Sequence, residues 1–202
     1  ARIEDVTHGM GLDPRISPDF LRPGPGYGGS CFPKDTRALV ETAHYVEQRL
    51  EIVEAAMDAN TRRKTGLLRR VKDMLGHDLR GQRIAVLGLA FKAGTDDIRE
   101  SPALLLVPDL VDAGADIRLH DPQAKGEGDS AFAGARQMDD PMDALQGADL
   151  AVILTEWPDY AALPLDRLAA LMNTPRVLDL RNLIDAEDAG RHGILYRRLG
   201  RR

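Results

Sequence analysis

The chain has little of two features that would each point to a class of protein. Among its 202 residues there is one cysteine, and aromatic side chains make up 4%. A single cysteine excludes an internal disulfide and makes a cysteine-based zinc site implausible. Because aromatic rings are scarce, a stacking surface for single-stranded nucleic acid is not expected. The lone cysteine also favours a reducing compartment, so we expect a cytoplasmic protein.

An excess of positive charge and a long apolar run are also missing. Lys and Arg total 27 against 32 Asp and Glu, which gives a net charge of −5. This balance provides neither a field for nonspecific nucleic-acid binding nor a polybasic membrane anchor. No apolar stretch approaches the ~20 residues that cross a bilayer, and no signal-peptide pattern opens the sequence. We therefore expect neither a nucleic acid nor a membrane as a partner.

The composition changes along the chain and separates a helical part, residues 1–76, from an α/β part, residues 77–202. In the first part, the segment RPGPGYGGSCFPKD is dense in turn formers, which is typical of a shaped loop. Apolar residues then recur at helical spacing and predict one long amphipathic helix over Tyr45–Gly76. On that helix, we expect Arg62, Arg63 and Lys64 to form a solvated face.

Strand and helix patterns alternate in residues 77–202. Strands are expected at Arg83–Leu87, Asp116–His120, Leu150–Leu154 and Arg176–Leu180. Helices are expected at Pro102–Ala113, Pro141–Gln146 and Pro164–Met172. The strand runs are apolar without clean alternation, as strands buried on both faces should be. The fold class is therefore α/β: a helical central region followed by a Rossmann-like, doubly wound parallel sheet, with ligands at the carboxyl ends of its strands.

Cys31 is the first candidate for chemistry. It follows two glycines and a serine, and Pro33 suits the first turn of a helix. A cysteine just before a helix N-terminus is favoured as a thiolate by the helix dipole, and Lys34 adds positive charge. Asp35, about one turn further on, could hold a water or take a proton. A buried structural cysteine is the alternative, and the residues alone leave both interpretations open.

Two glycine-containing segments could approach a ligand. Gly24, Gly26, Gly28 and Gly29 would let backbone N–H groups come close to a sugar or phosphate, although a tight loop without a ligand has the same composition. The segment 88–93, GLAFKA, follows a predicted strand but lacks the second and third glycines of a dinucleotide fingerprint. A nucleotide-sugar or mononucleotide site fits it better, and a packing turn is the alternative. The five histidines show no metal-ligand spacing, so no metal is inferred.

Four segments occur in order over nearly the whole chain: HGMGLDPRIS, FLRPGPGYGGSCFPKDTRAL, GLAFKAGTDDIRESPA and, more weakly, LDLRN. Together they resemble the UDP-glucose/GDP-mannose dehydrogenase family, whose members oxidise the C6 alcohol of a nucleotide sugar to a carboxylate with NAD. The resemblance covers the central and C-terminal, UDP-binding portion only. It implies that the NAD-binding domain and a catalytic lysine and asparagine would precede Ala1, so we expect the chain to be inactive alone.

The resemblance also implies roles for individual residues. Cys31 would be the nucleophile that carries a thiohemiacetal and then a thioester, and Asp35 would help to position the hydrolytic water. Lys34 and Arg99 would lie near the NAD cofactor, and Arg15 would reach the substrate across a dimer. Substrate contacts are implied for Arg15, Phe20, Leu21, Arg22, Gly24, Gly26, Tyr27, Gly28, Phe91, Lys92 and Arg181. One departure is Asp179-Leu180-Arg181-Asn182, where the family usually has Asp-Gly-Arg-Asn.

Three functions remain in competition at this point. Oxidation of a UDP-glucose substrate to UDP-glucuronate is favoured, because Tyr27 and Phe32 within GYGGSCF match it best. Oxidation of GDP-mannose is the nearest alternative. A non-catalytic module for nucleotide-sugar binding or dimerisation is the alternative from another class. The apolar stripe of the central helix would serve a homodimer by resemblance, or would be buried between the chain's own two halves.

Overall fold

The first part of the chain is helical. A computed structural model describes residues 3–18, 21–126 and 128–200. Within them, the helices that precede the first strand are Ile3–Gly11 (α1), Phe32–Tyr45 (α2), Glu51–Thr65 (α3) and Leu67–Leu75 (α4). The glycine-rich segment lies between α1 and α2 and forms a loop, as its composition predicted.

The prediction of one helix over Tyr45–Gly76 is wrong, because two interruptions divide that segment. After α2, Glu47 adopts a left-handed φ of 56°, and the chain turns before α3 begins. At Gly66, ψ is −1°, and one residue separates α3 from α4. Glycine has the lowest helix propensity after proline, so the second break lies where the local sequence supports a helix least.

The remainder of the chain alternates strands with helices. The strands are Arg83–Leu87 (β1), Asp116–His120 (β2), Arg136–Gln137 (β3), Leu150–Ile153 (β4), Arg176–Asp179 (β5) and Leu195–Arg198 (β6). The helices are Ala103–Asp112 (α5), Pro141–Leu145 (α6), Pro158–Ala161 (α7), Leu165–Leu171 (α8) and Ala186–Arg191 (α9), with a 3-10 turn at Ser130–Phe132. The four predicted strands are present, each ending within one residue of its expected bounds, whereas β3 and β6 were not predicted.

The described strands form one parallel sheet in the order β3-β2-β1-β4-β5-β6. This is the order of the dinucleotide-binding α/β fold, so the expected Rossmann-like architecture is confirmed. The side chains of β4 are fully buried, as are those of β1 from Ile84 onward. β3 and β6 are the two edge strands.

The direction of the strand order reverses between β1 and β4, and a crevice opens at the carboxyl ends of such a pair. The segments that leave this point are Gly88–Lys92 after β1 and Leu154–Trp157 after β4. None of the helices within the described residues has the length and apolar character that a bilayer crossing requires.

Candidate active site

Cys31 lies immediately before α2, at the end of that helix where backbone N–H groups are unpaired. The helix begins at Phe32, and the Asp35 N–H donates to the Cys31 carbonyl at 2.8 Å. The thiol is free and exposed, and its Sγ lies 3.6 Å from Ser30 Oγ. The alternative of a buried structural cysteine is therefore wrong, and the sulfur is open to a reagent or substrate.

Two cations accompany the thiol, each paired with a carboxylate. Lys34 Nζ lies 2.7 Å from Asp35 Oδ1, and Arg99 Nη2 lies 2.9 Å from Asp97 Oδ2. The hydrogen bond from Asp35 is the main reason that the pKa of Lys34 is raised, and the charge of Cys31 adds to it. The pKa of Arg99 is likewise raised, first by Asp97 and in small part by Cys31. Both cations therefore lie close enough to the thiol to interact with it electrostatically.

The glycine loop is seated on α3 by a pair of polar side chains one turn apart. Asn60 Oδ1 accepts from the Tyr27 N–H at 2.8 Å, and Asn60 Nδ2 donates to the Tyr27 carbonyl at 3.2 Å. At Gly26, where φ is 130°, a Cβ would lie 2.8 Å from Asn60 Oδ1 and 3.0 Å from Lys64 Cγ. A side chain at position 26 would therefore be strained by this φ and would require Asn60 or Lys64 to shift.

Lys64 is not part of a solvated face, and that prediction is wrong. Its side chain is 5% exposed, and its Nζ donates to the Glu100 carbonyl at 2.6 Å. Burial is the main reason that its pKa is lowered. Arg62 and Arg63 are exposed, as expected.

The glycine loop is also packed against the segment between β1 and α5. A Cβ at Gly28 would lie 2.5 Å from the Glu100 carbonyl oxygen. At Gly29, where φ is 86°, it would lie 2.9 Å from the ring of Phe91. The Gly29 N–H donates to the Arg99 carbonyl at 2.8 Å. The residues just before Cys31 are therefore in contact with both the helical part and the α/β part of the chain.

Arg181 is partly buried beneath the loop at the carboxyl edge of the sheet, with its side chain 14% exposed. Its Nε donates to the Leu154 carbonyl at 2.7 Å, and its Nη2 donates to the Phe91 carbonyl at 3.0 Å. Its Nη1 pairs with Glu156 Oε2 at 3.0 Å, and a Cβ at Gly24 would lie 2.9 Å from the same Nη1. Burial is the main reason that the pKa of Arg181 is lowered. Arg181 thus ties the segments after β1 and β4 together, while Lys92 remains exposed with its Nζ 5.5 Å from the Phe91 ring centroid.

Asp121 organises the turn after β1, a role that the sequence did not reveal. Its carboxylate accepts hydrogen bonds from five donors: Leu89 N, Ala90 N, Gln123 N, Ala124 N and Trp157 Nε1. In a dinucleotide site, an acidic residue beyond the second strand would bind ribose. This carboxylate is 3% exposed and already engaged, and a Cβ at Gly88 would lie 2.4 Å from Thr155. The turn after β1 does not fit an NAD molecule.

Several residues implied by the resemblance lie elsewhere or are exposed. Arg15 pairs with Asp13 at 2.6 Å and is 87% exposed. Leu21 is half-buried and Arg22 is exposed in the glycine loop. Phe20 lies outside the described residues. The expected contacts of Arg15, Phe20, Leu21 and Arg22 with a substrate therefore stay predictions.

A cleft of about 740 Å³ opens beside the part of the glycine loop that precedes Cys31. It lies between α2, α3 and the start of α5. The charged side chains that line it are Lys34, Arg37, Lys64, Arg99 and Glu100. Across the described parts of the chain, no group of three or more His, Cys, Asp or Glu residues is arranged to hold a metal ion. The cleft suits an anionic organic ligand better than a metal.

The parallel sheet and its strand order define the class of nucleotide-binding α/β folds, and a loop with an exposed thiol is packed at the carboxyl ends of its strands. Comparison with known proteins narrows this class. Residues 85–186 match the UDP-binding domain of the UDP-glucose/GDP-mannose dehydrogenase family, and residues 1–62 match its central domain. The chain belongs to the UDP-glucose/GDP-mannose dehydrogenase family.

Individual relatives agree with this assignment. A UDP-glucose 6-dehydrogenase of Rhizobium meliloti is 45% identical over 201 residues, covering 100% of this chain and 46% of that protein. A UDP-glucose 6-dehydrogenase of Bacillus subtilis, YwqF, is 39% identical and is covered to the same extent. The solved UDP-glucose dehydrogenase of Pyrobaculum islandicum superposes with a TM-score of 0.79 at 31% identity, over 95% of this chain and 42% of that one. The chain spans about half the length of the curated relatives it matches.

Proposed function

We propose that this chain forms the catalytic-cysteine and UDP-sugar-binding part of an NAD-dependent UDP-glucose 6-dehydrogenase. The observation that carries the proposal is the exposed thiol of Cys31 at the start of α2, with the exposed cations Lys34 and Arg99 in the same region. A thiolate adds readily to an aldehyde, and a thioester is labile enough to release a carboxylic acid. The relatives named UDP-glucose 6-dehydrogenase support the choice of substrate.

The chemistry assigned to the chain begins after the C6 alcohol has become an aldehyde. Cys31 Sγ forms a bond to the aldehyde carbon, the carbonyl oxygen takes up a proton, and a thiohemiacetal results. Loss of hydride from that carbon, with the hydroxyl proton, leaves a thioester. Water then attacks the thioester carbon, the C–S bond breaks, and the thiol and the carboxylate are formed. Asp35, exposed one turn along α2, is the group that would take the proton of the attacking water.

NAD, when bound, accepts the hydride in each of the two oxidations. Of this chain's residues, Lys34 and Arg99 are the ones suited to contact it, because each carries an exposed positive charge beside the cysteine loop. Each is held by one carboxylate, Asp35 or Asp97, and can still meet a phosphate. The turn after β1 is better suited to a UDP-sugar, with exposed Lys92 beside the Phe91 ring and Arg181 beneath Gly24.

Cys31→Ser tests the nucleophile in the intact protein. We expect steady-state NADH formation from UDP-glucose, followed by absorbance, to fall by about 10³-fold or more, because serine is a far weaker nucleophile at neutral pH. Ser30→Ala is the matched control: Ser30 approaches the sulfur only at 3.6 Å, and we expect nearly unchanged activity. Sustained NADH formation by Cys31→Ser would remove Cys31 from this role.

Calorimetry with UDP and GDP tests which nucleobase the protein prefers in its substrate. We expect UDP to bind more tightly, and a clear preference for GDP would instead favour a GDP-mannose dehydrogenase. Binding of UDP without NADH formation by the intact protein would favour a non-catalytic binding module.

We also propose that the chain assembles as a cytoplasmic homodimer through its helical region. Apolar side chains on this region are exposed, including Val6 and Met10 on α1, Leu39 on α2 and Ile52 on α3, the last 87% exposed. Such exposure of apolar side chains on the helices of this region supports an interface. Sedimentation at several concentrations is the test, and a monomer at every concentration would contradict the dimer.

A further inference from the structure

Lys64 makes an unusual use of a buried amine. A lysine is almost never fully buried without a partner, because removing an ammonium group from water is costly. Here its aliphatic stem lies under Gly26, and its Nζ donates at 2.6 Å to a main-chain oxygen, that of Glu100. The Glu100 carboxylate is a more distant partner, with Oε2 3.6 Å from Nζ. The short contact is therefore to the backbone, and it fixes the position of a peptide group.

The peptide group that Lys64 holds is in an unfavourable conformation. Glu100 has a φ of 56°, a left-handed value that is unfavourable for a residue with a side chain. Its carbonyl oxygen is also the atom that a Cβ at Gly28 would approach to 2.5 Å. The lysine ammonium thus stabilises a turn that would otherwise relax, and the glycine loop rests on that turn.

The turn that Lys64 holds is linked to Cys31 through the main chain and the side chain of Arg99. Arg99, next to Glu100, accepts the Gly29 N–H through its carbonyl at 2.8 Å, and its side chain is close enough to interact electrostatically with Cys31. Gly29 is two residues before Cys31. A shift of the Glu100 peptide therefore moves the Arg99 carbonyl, and with it the loop that carries the sulfur.

We propose that Lys64 is a positioning residue for the cysteine: its ammonium holds the Arg99–Glu100 turn and thereby sets the place of Cys31 relative to Arg99. Asn60, one turn earlier on α3, fixes the other end of the loop through Tyr27. The inference rests on the proposed function for its effect on turnover, but its effect on the thiol can be measured without turnover.

The experiment compares the reactivity of Cys31 in variants of the intact protein. The rate of alkylation by iodoacetamide is measured from pH 5 to 9 by mass spectrometry of the peptide that contains Cys31. Lys64→Met keeps the aliphatic stem and removes the ammonium. We expect its alkylation rate at neutral pH to fall several-fold, because the Arg99–Glu100 turn no longer holds the loop that carries the sulfur. Lys64→Arg should restore at least half of the lost rate, because a guanidinium can also donate to the carbonyl.

Two controls separate this role from general charge effects. Arg63→Met removes a neighbouring positive charge from the exposed side of α3 and should leave the alkylation rate unchanged. Glu100→Gln removes the carboxylate but keeps the main-chain oxygen, so its alkylation rate should also stay close to that of the parent protein. An effect of Glu100→Gln equal to that of Lys64→Met would overturn the proposal in favour of a simple ion pair.

A folded Lys64→Met protein with the parent's alkylation rate would refute the proposal, with folding checked by circular dichroism. If Lys64→Met does not fold, Lys64→Gln, which is shorter and leaves a polar end in the buried site, is read by the same criteria. In the intact protein we further expect Lys64→Met to lower kcat with little change in KM for UDP-glucose. Sustained activity of Cys31→Ser would contradict the proposed function alone, because the alkylation result does not depend on turnover.

Discussion

Replacing Asp121 removes the acceptor for a group of buried N–H donors and tests how the turn after β1 is held. Oδ2 accepts from the N–H groups of Leu89 at 2.7 Å and Ala90 at 3.0 Å, and from Trp157 Nε1 at 3.1 Å. Oδ1 accepts from the N–H groups of Gln123 and Ala124 at 2.9 and 2.8 Å. Asparagine cannot substitute, because its NH₂ would face donors whichever way the amide is turned.

The size of the effect follows from the number of donors left without a partner. A buried donor that loses its acceptor costs about 1–3 kcal/mol, although the costs are not additive when a loop can relax and admit water. Three donors converge on Oδ2, so we expect Asp121→Asn to lower the free energy of unfolding by about 3–5 kcal/mol. With a urea m-value of ~2–3 kcal/mol/M, the unfolding midpoint should fall by about 1–2.5 M.

Urea unfolding followed by far-ultraviolet circular dichroism measures this change. Tryptophan fluorescence is unsuitable, because Trp157 itself donates to Asp121. Asp96→Asn is the matched control: its side chain is exposed, and we expect a change within about 0.5 kcal/mol. A free energy of unfolding for Asp121→Asn within 0.5 kcal/mol of the parent's would refute the hydrogen-bonding argument.

Two further predictions concern the same edge of the sheet. Gly88 and Gly94 both have positive φ values, but a Cβ at Gly88 would lie 2.4 Å from Thr155, whereas one at Gly94 would meet open space. We expect Gly94→Ala to cost about 1–2 kcal/mol and Gly88→Ala about 3 kcal/mol or more, as measured by urea unfolding; equal costs would contradict the steric explanation. The second prediction concerns His120, whose pKa is lowered from 6.5 mainly by burial. As the pH falls from 7.5 to 5.5, the unfolded chain takes up a proton at His120 that the folded chain resists, so stability should decrease. The urea midpoint of His120→Gln should decrease less than that of the parent protein over the same pH range. Equal decreases of the two midpoints would exclude this histidine as the cause.

The sequence was sufficient to predict the central strands and the fold class. β1 and β4 are short runs of apolar residues buried on both faces, and that burial is visible in composition alone. The edge strands gave no such signal. β3 has only two residues, and the side chains of β6 alternate between exposed and half-buried, with Leu195 53% exposed.

The parts of the site that lie next to each other in sequence were also predictable, and those built from distant residues were not. The location of Cys31 at the start of α2, with Lys34 and Asp35 in the first turn, follows from the local motif. Asn60 and Lys64 bind partners that are 33 and 36 residues away in the sequence. Their roles therefore depend on how α3 packs against the glycine loop and the Arg99–Glu100 turn. Charge alone predicted a solvated Lys64, because nothing local indicates that Glu100 covers it.

The two edges of the sheet have a consequence for self-association. An open edge can recruit a strand from another molecule, and proteins limit this with short or charged edge strands. β3 offers only two residues for pairing, and β6 carries Arg197 and Arg198. Neither edge is a favourable template for intermolecular strand addition. Growth of the sheet into a fibre by this route is therefore disfavoured.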